Sequence, residues 1–182
     1  FSDAQLLAAL EYGGASPHPD LIRACLARPE ALTPGLLAML ETELNTAWRD
    51  DDPRWYRDGH AGLLLAAFRE PAALPLFAQV LWEEQRDYLF EWFGLALPYY
   101  YGPAAIPMLI EALEIEDGDE MLVSHASGML TYIALHHPEE RDRIIAALRP
   151  YLPSLDEAGA LVITPEQRAD PPVLWVWVIN AF

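Results

Sequence analysis

The run His136-His137-Pro138-Glu139-Glu140 places four side chains able to ligate a metal within five positions. Adjacent histidines on a helix point about 100° apart, so they do not converge on one ion as histidines at i and i+4 do. A polar helix end followed by the acidic first turn of the next helix accounts for the run. Glu114-Ile115-Glu116-Asp117-Gly118-Asp119-Glu120 has the composition of a calcium loop but not its spacing. Acids at positions 1, 3 and 5, glycine at 6 and glutamate at 12 do not coincide in it. It reads as an inter-helix turn, with Gly118 just past one helix and Asp119 capping the next. Ser124 and Ser127 flank His125, but residues one or two apart on a helix do not face each other. No Gly-x-Ser-x-Gly elbow, phosphate loop or dinucleotide fingerprint is present, and Gly13-Gly14 reads as a helix end. The sequence therefore assigns no catalytic residue, no metal and no cofactor, and points to a non-enzymatic protein.

Recognition chemistry is better represented. Trp82, Tyr88, Phe90, Trp92, Phe93, Tyr99, Tyr100 and Tyr101 fall within 20 residues. Leu89, Trp92, Phe93 and Ala96 form one helical stripe, expected in the core. The tyrosines have polar tips that suit either a groove wall or inter-helix hydrogen bonds. From Arg86 to Arg141 there is no intervening Arg or Lys, while Asp87, Glu91, Glu111, Glu114, Glu116, Asp117, Asp119, Glu120, Glu139 and Glu140 occupy the interval. A solvated rim is the plain explanation and a docking strip for an Arg/Lys-rich segment the functional one. The candidate partner-binding residues are Trp82, Tyr88, Tyr99, Tyr100, Tyr101, Glu116, Asp117 and Glu120, the aromatics as anchors and the acids steering the encounter.

The elements that must position these residues announce themselves by repetition. Glu70-Pro71-Ala72-Ala73-Leu74-Pro75-Leu76-Phe77 returns 32 residues later as Gly102-Pro103-Ala104-Ala105-Ile106-Pro107-Met108-Leu109, with weaker copies at Pro29 and Pro138. Self-similarity on this scale marks stacked helical units, each burying its apolar face against its neighbours. The periodicity is near 3.6 almost throughout. Asp3 is expected to cap a helix to Glu11, and Pro19-Asp20 to start a second. Thr33-Pro34 is expected to open a third, carrying Leu36, Leu37, Leu40 and Leu44. Asp52-Pro53 precedes a helix ending at Phe68, Pro98 closes another, and Asp119 opens one carrying Leu122, Ala126, Met129, Leu130 and Ile133 to His136.

Ala73, Pro75, Phe77 and Leu81, then Ala105, Pro107, Leu109 and Leu113, match the Ala-x-Pro-x-Leu-x-x-x-Leu pattern of second helices in HEAT-like repeats, which the chain resembles. The Asp-Val-Arg phrase common to HEAT first helices is absent; Asp119 and His125 stand near its acid and arginine positions. Tyr12-Gly13, Leu21-Ile22, Leu32-Thr33-Pro34-Gly35-Leu36-Leu37 and His60-Ala61 through Phe68-Arg69-Glu70 further resemble a bacterial HEAT-like family of unknown function. That resemblance implies an all-α, right-handed α-solenoid of stacked antiparallel helix pairs. It brings no catalytic residues, and the Cys-rich metal-binding tail of some relatives has no counterpart here.

Composition bounds the partners. The 182 residues hold 28 acids against 11 Arg and no Lys, a net charge of −17 that repels phosphate backbones and favours basic proteins. Nucleic acid and membrane are not expected as partners; the longest apolar run, Val173 to Ile179, is too short to span a bilayer. Cys25, the single cysteine, sits among Leu21, Ile22 and Leu26 as a buried thiol, in keeping with a cytoplasmic protein. One domain over residues 1–182 is expected. Residues 153–172 form a long Pro-rich loop, and the apolar 173–179 segment suggests truncation at the C-terminus. The reading is a protein- or peptide-binding scaffold, in one version an inhibitor or immunity-type protein for a basic partner. The alternative is a small-molecule binder or enzyme with an aromatic pocket near Tyr88, Trp92 and the 153–172 loop.

Overall fold

The computed structural model describes residues 1–43, 52–82, 87–114, 120–158, 160–165 and 168. Among them the chain is all-α apart from one two-stranded pairing, and it divides into two compact units, Phe1–Tyr101 and Gly102–Phe182.

The first unit holds α1 (Asp3–Glu11), α2 (Pro19–Leu26), α3 (Pro29–Glu43), α4 (Arg57–Phe68), α5 (Leu74–Trp82) and α6 (Asp87–Tyr101). Ser2, not Asp3, caps α1: its hydroxyl accepts from the Gln5 N–H while the Gln5 side chain accepts from the Ser2 N–H. Asp3 is instead the first helical residue, where its charge suits the helix dipole and pairs with Arg28 at 2.9 Å. Helix α4 is the hub, touching α1, α2, α3 and α6. Arg57, Asp58 and the whole stretch through Gly62 on this helix are buried. Leu32, Leu36 and Leu40 of α3 fill the core on one side, and Phe77 and Phe93 meet edge to face at 4.9 Å on another. Each such ring or leucine contributes about 1.5–3 kcal/mol by leaving water.

Two prolines correct the expected helix boundaries. Helix α3 begins at Pro29, so Thr33-Pro34 lies inside it rather than opening it. The Thr33 hydroxyl donates to the Pro29 carbonyl at 2.9 Å, a back-bond within the helix rather than a cap. Pro98 likewise stands inside α6, which continues to Tyr101. The ring of a proline crowds the carbonyl four residues earlier, here that of Gly94, where no side chain adds to the crowding.

The second unit holds α7 (Ile106–Leu113), α8 (Glu120–His136), α9 (Arg141–Leu148), β1 (Ser154–Leu155) and β2 (Leu161–Val162). Helix α8 packs against both α7 and α9 through the expected stripe: Leu122, Ala126, Met129, Leu130 and Ile133 are all buried. The repeated proline phrases form short 3-10 turns, Pro71–Ala73, Gly102–Ala105 and Pro138–Glu140, that lead directly into α5, α7 and α9. A fourth, Pro53–Tyr56, leads into α4. Within the 153–172 segment, β1 and β2 pair antiparallel, Ser154 opposite Val162. Asp156 holds the connection, its Oδ1 accepting from the Ala158 and Ala160 N–H groups at 2.9 and 2.8 Å. The apolar run 173–179 lies outside the described residues.

Candidate functional site

Helix α4 presents His60, Leu63, Leu64 and Ala67, spaced i, i+3, i+4, i+7, along one face. That face is the floor of a trench of about 450 Å³. Ile22 and Leu26, one turn apart on α2, form one wall, Trp92 and Tyr100 of α6 the other, and Ala15 and Pro17 of the α1–α2 loop close an end. All ten residues belong to the first unit. Among the described residues no carboxylate lines the trench, and the side chains there that carry polar atoms are those of His60, Trp92 and Tyr100.

Each wall is fixed by a specific contact. The His60 ring donates from Nε2 to the Gly14 carbonyl at 2.7 Å, because a carbonyl oxygen can only accept, and so ties the α1–α2 loop to the floor. Gly14 occupies the left-handed region at φ +61°, which glycine adopts without cost and which turns the chain sharply after α1. On the other side the Trp92 ring lies 5.5 Å from His60 and stacks on Tyr56 at 6.1 Å, 15° from parallel. A Cβ at Gly59 would collide with the Trp92 ring, and one at Gly62 with Phe93 and Phe77. Missing side chains on α4 therefore let α6 approach closely.

A buried polar pair anchors the base of α4. Arg57 donates to Glu11 at 2.8 Å, joining α4 to the end of α1, while Asp58 Oδ1 accepts from the Gly59 N–H at 2.8 Å. At the preceding turn, Asp52 accepts from the Arg54 backbone and guanidinium, which lowers its pKa to about 2.

The candidate residues read from the sequence go three ways. Successive positions on α6 turn by about 100°, so the three tyrosines separate. Tyr99 is 64% exposed and meets Tyr100 edge to face, Tyr100 lines the trench, and Tyr101 is 8% exposed. The Tyr101 hydroxyl lies 2.8 Å from the Glu70 carbonyl and 3.2 Å from that of Leu65, both acceptors. Burial, followed by the Glu70 charge, pushes its pKa up. Tyr101 is thus a packing residue that a partner does not reach, and its hydroxyl takes the inter-helix hydrogen-bonding role. Trp82 and Tyr88 take backbone positions at the end of α5 and the start of α6, and Glu120 at the start of α8; their side chains lie outside the described set. Glu116 and Asp117 lie wholly outside it. Of the acidic interval, Glu111, Glu114 and Glu139 are exposed.

The other chemical clusters resolve into local structure. His136 Nδ1 meets the Tyr132 carbonyl at 2.9 Å and its ring stacks on Tyr132, while His137 Nδ1 faces Glu139 at 3.3 Å. The Ser127 hydroxyl donates to the Ser124 carbonyl at 2.8 Å, both side chains being buried in α8. Among the described residues no three His, Cys, Asp or Glu side chains gather as metal ligands would, and no helix is long and apolar enough to cross a membrane. Cys25 is fully buried, and desolvation raises its thiol pKa.

Sequence reasoning singled out Trp92 and Tyr100 but missed the floor of the trench and its α2 wall. The trench residues come from three helices separated in the chain by dozens of positions, and His60 matches no ligating or catalytic motif. The signal that was available is the i, i+3, i+4, i+7 spacing of His60, Leu63, Leu64 and Ala67. Compared with protein families, curated proteins and solved structures, the chain matches none of them.

Proposed function

We propose that this chain is a non-enzymatic, HEAT-like α-solenoid, right-handed in its winding, that binds a basic protein or peptide. The trench carries the reading: a nearly all-apolar channel crossing three helices is a docking surface, and solenoids use surfaces of this kind. Support for the hairpin stacking comes from the contacts α4 makes with α2 and with α6, alongside its contact with α3. First helix then lies against first helix, as successive hairpins require. The net charge of −17 attracts a cationic partner, with Glu116, Asp117 and Glu120 as the steering strip and Tyr99 and Tyr100 as aromatic anchors.

The test is retention of a basic partner from the native host, followed by two sets of variants. Changing Glu116, Asp117 and Glu120 to Gln, Asn and Gln is expected to reduce retention and its salt dependence, and Leu63→Gln to abolish it. A partner retained equally by both sets overturns the reading. A second reading, a small-molecule site, is favoured by one observation: the trench volume falls within the range of about 300–1,000 Å³ typical of ligand pockets. Among the described lining residues, acid–base chemistry there would fall to His60.

A further inference from the structure

The trench has the form of a seat for a helix. Its floor residues span i to i+7 on α4, a rise of about 10 Å or two turns, and α2 and α6 stand on either side of that floor. Apolar side chains of an incoming helix, themselves spaced i, i+3 or i+4, and i+7, would interdigitate with such a stripe. An extended segment would find less to hold. Strand addition needs an exposed sheet edge, and the first unit has no strand among its described residues. The Gly14 carbonyl, in the loop that closes the trench end, already accepts from His60.

Charge decides what the rest of that helix must be. In the first unit Arg23 pairs with Asp20, Arg28 with Asp3, Arg54 with Asp52 and Arg57 with Glu11. These guanidinium groups are neutralised within the fold, while the chain as a whole carries 28 acids against 11 Arg. Residues 1–101, the unit that carries the trench, themselves hold 15 acids against 7 Arg, and among the described residues none of those acids lines the trench. We propose that the trench receives one amphipathic helix of a basic partner protein, lying along α4 with its apolar face on the floor and its Arg/Lys face turned outward. This rests on the protein-binding reading above and names the form of the partner.

The experiment measures fluorescence anisotropy of labelled peptides of about four helical turns with the full chain. The first peptide carries Leu at i, i+4 and i+7 and Arg on its other face. The second is a scramble of the same composition, and the third replaces Arg by Glu. The first is expected to bind about ten-fold or more tightly than either control, and Ala67→Trp, which fills the floor, to weaken it about ten-fold. Leu135→Gln, at an exposed site of the second unit, is expected to leave binding unchanged. Circular dichroism checks the fold, and the milder Leu63→Gln repeats the measurement if Ala67→Trp unfolds the chain.

Equal binding of the scramble, or binding unmoved by both floor variants, overturns the proposal. So does a result in which the anionic aromatic dye 1-anilinonaphthalene-8-sulfonate binds in a floor-dependent way while no peptide does, which makes a small aromatic molecule the occupant. If a natural partner is retained through Leu63 but the helical peptide fails, the protein-binding reading stands and the helical occupant falls.

Discussion

His60 Nε2 lies 2.7 Å from the carbonyl oxygen of Gly14, a hydrogen bond between residues 46 apart that joins the trench floor to the loop at its end. His60 is almost wholly buried but Gly14 only half so, and the carbonyl keeps some access to water if the ring is removed. His60→Phe is therefore expected to cost about 0.5–1.5 kcal/mol. It should also raise amide exchange selectively in residues 12–18. Chemical denaturation and hydrogen exchange of the variant check the two parts separately, and unchanged loop exchange would mean that the loop is held by packing alone.

Tyr101→Phe removes the hydroxyl beside two carbonyls and is expected to destabilise by about 1–3 kcal/mol. It should also change the response to alkali. The folded state raises the phenol pKa above its ordinary value of about 10. The contribution is thus complete below that value and declines as pH rises through the folded pKa, because the unfolded chain releases its proton first. Urea midpoints of the native chain should fall between about pH 9 and 11 more steeply than those of Tyr101→Phe.

Asp52 gives the opposite limb. Its folded pKa, lowered to about 2 chiefly by the side-chain hydrogen bond with Arg54, lies below the unfolded value. The stabilisation is present above the unfolded pKa and is lost as pH falls through about 2. Asp52→Asn keeps an oxygen for the Arg54 N–H but not the charge. Its Tm should lie below that of the native chain at neutral pH, with the gap closing in acid.

Arg69 ends α4 in the left-handed conformation, φ +56°, where a side chain is strained and glycine is not. Arg69→Gly is expected to stabilise the chain by about 0.5–1 kcal/mol, less than the full strain because glycine also gains freedom in the unfolded state. Thermal melts of the pair decide it. A lower Tm would show that the Arg69 side chain makes a compensating interaction.

Much of the helical plan was legible because local chemistry produces it. The Pro-Ala-Ala phrases do form stiff turns ahead of α5 and α7, and the Leu122-to-Ile133 stripe is buried as its spacing requires. The helix boundaries expected at Pro34 and Pro98 do not fall there, because a proline does not always end a helix. Pro34 and Pro98 sit within helices whose buried faces, Leu32, Leu36 and Leu40 in one and Phe93, Ala96 and Leu97 in the other, outweigh a missing hydrogen bond. Aromatic composition drew notice to Tyr99, Tyr100 and Tyr101 as a group, although a turn of 100° per residue sends only Tyr100 to the trench. His60 was invisible as a site residue because its partner is a backbone carbonyl, which carries no sequence signature.

The two hydrogens of Gly59 and Gly62 that face α6 have a reach beyond their size. A methyl group at either place would wedge the two helices apart, and one at Gly59 would push the Trp92 indole directly, so bulk added beneath the wall would be felt as a wider channel above it. Affinity for an occupant can thus be retuned from positions that never touch it.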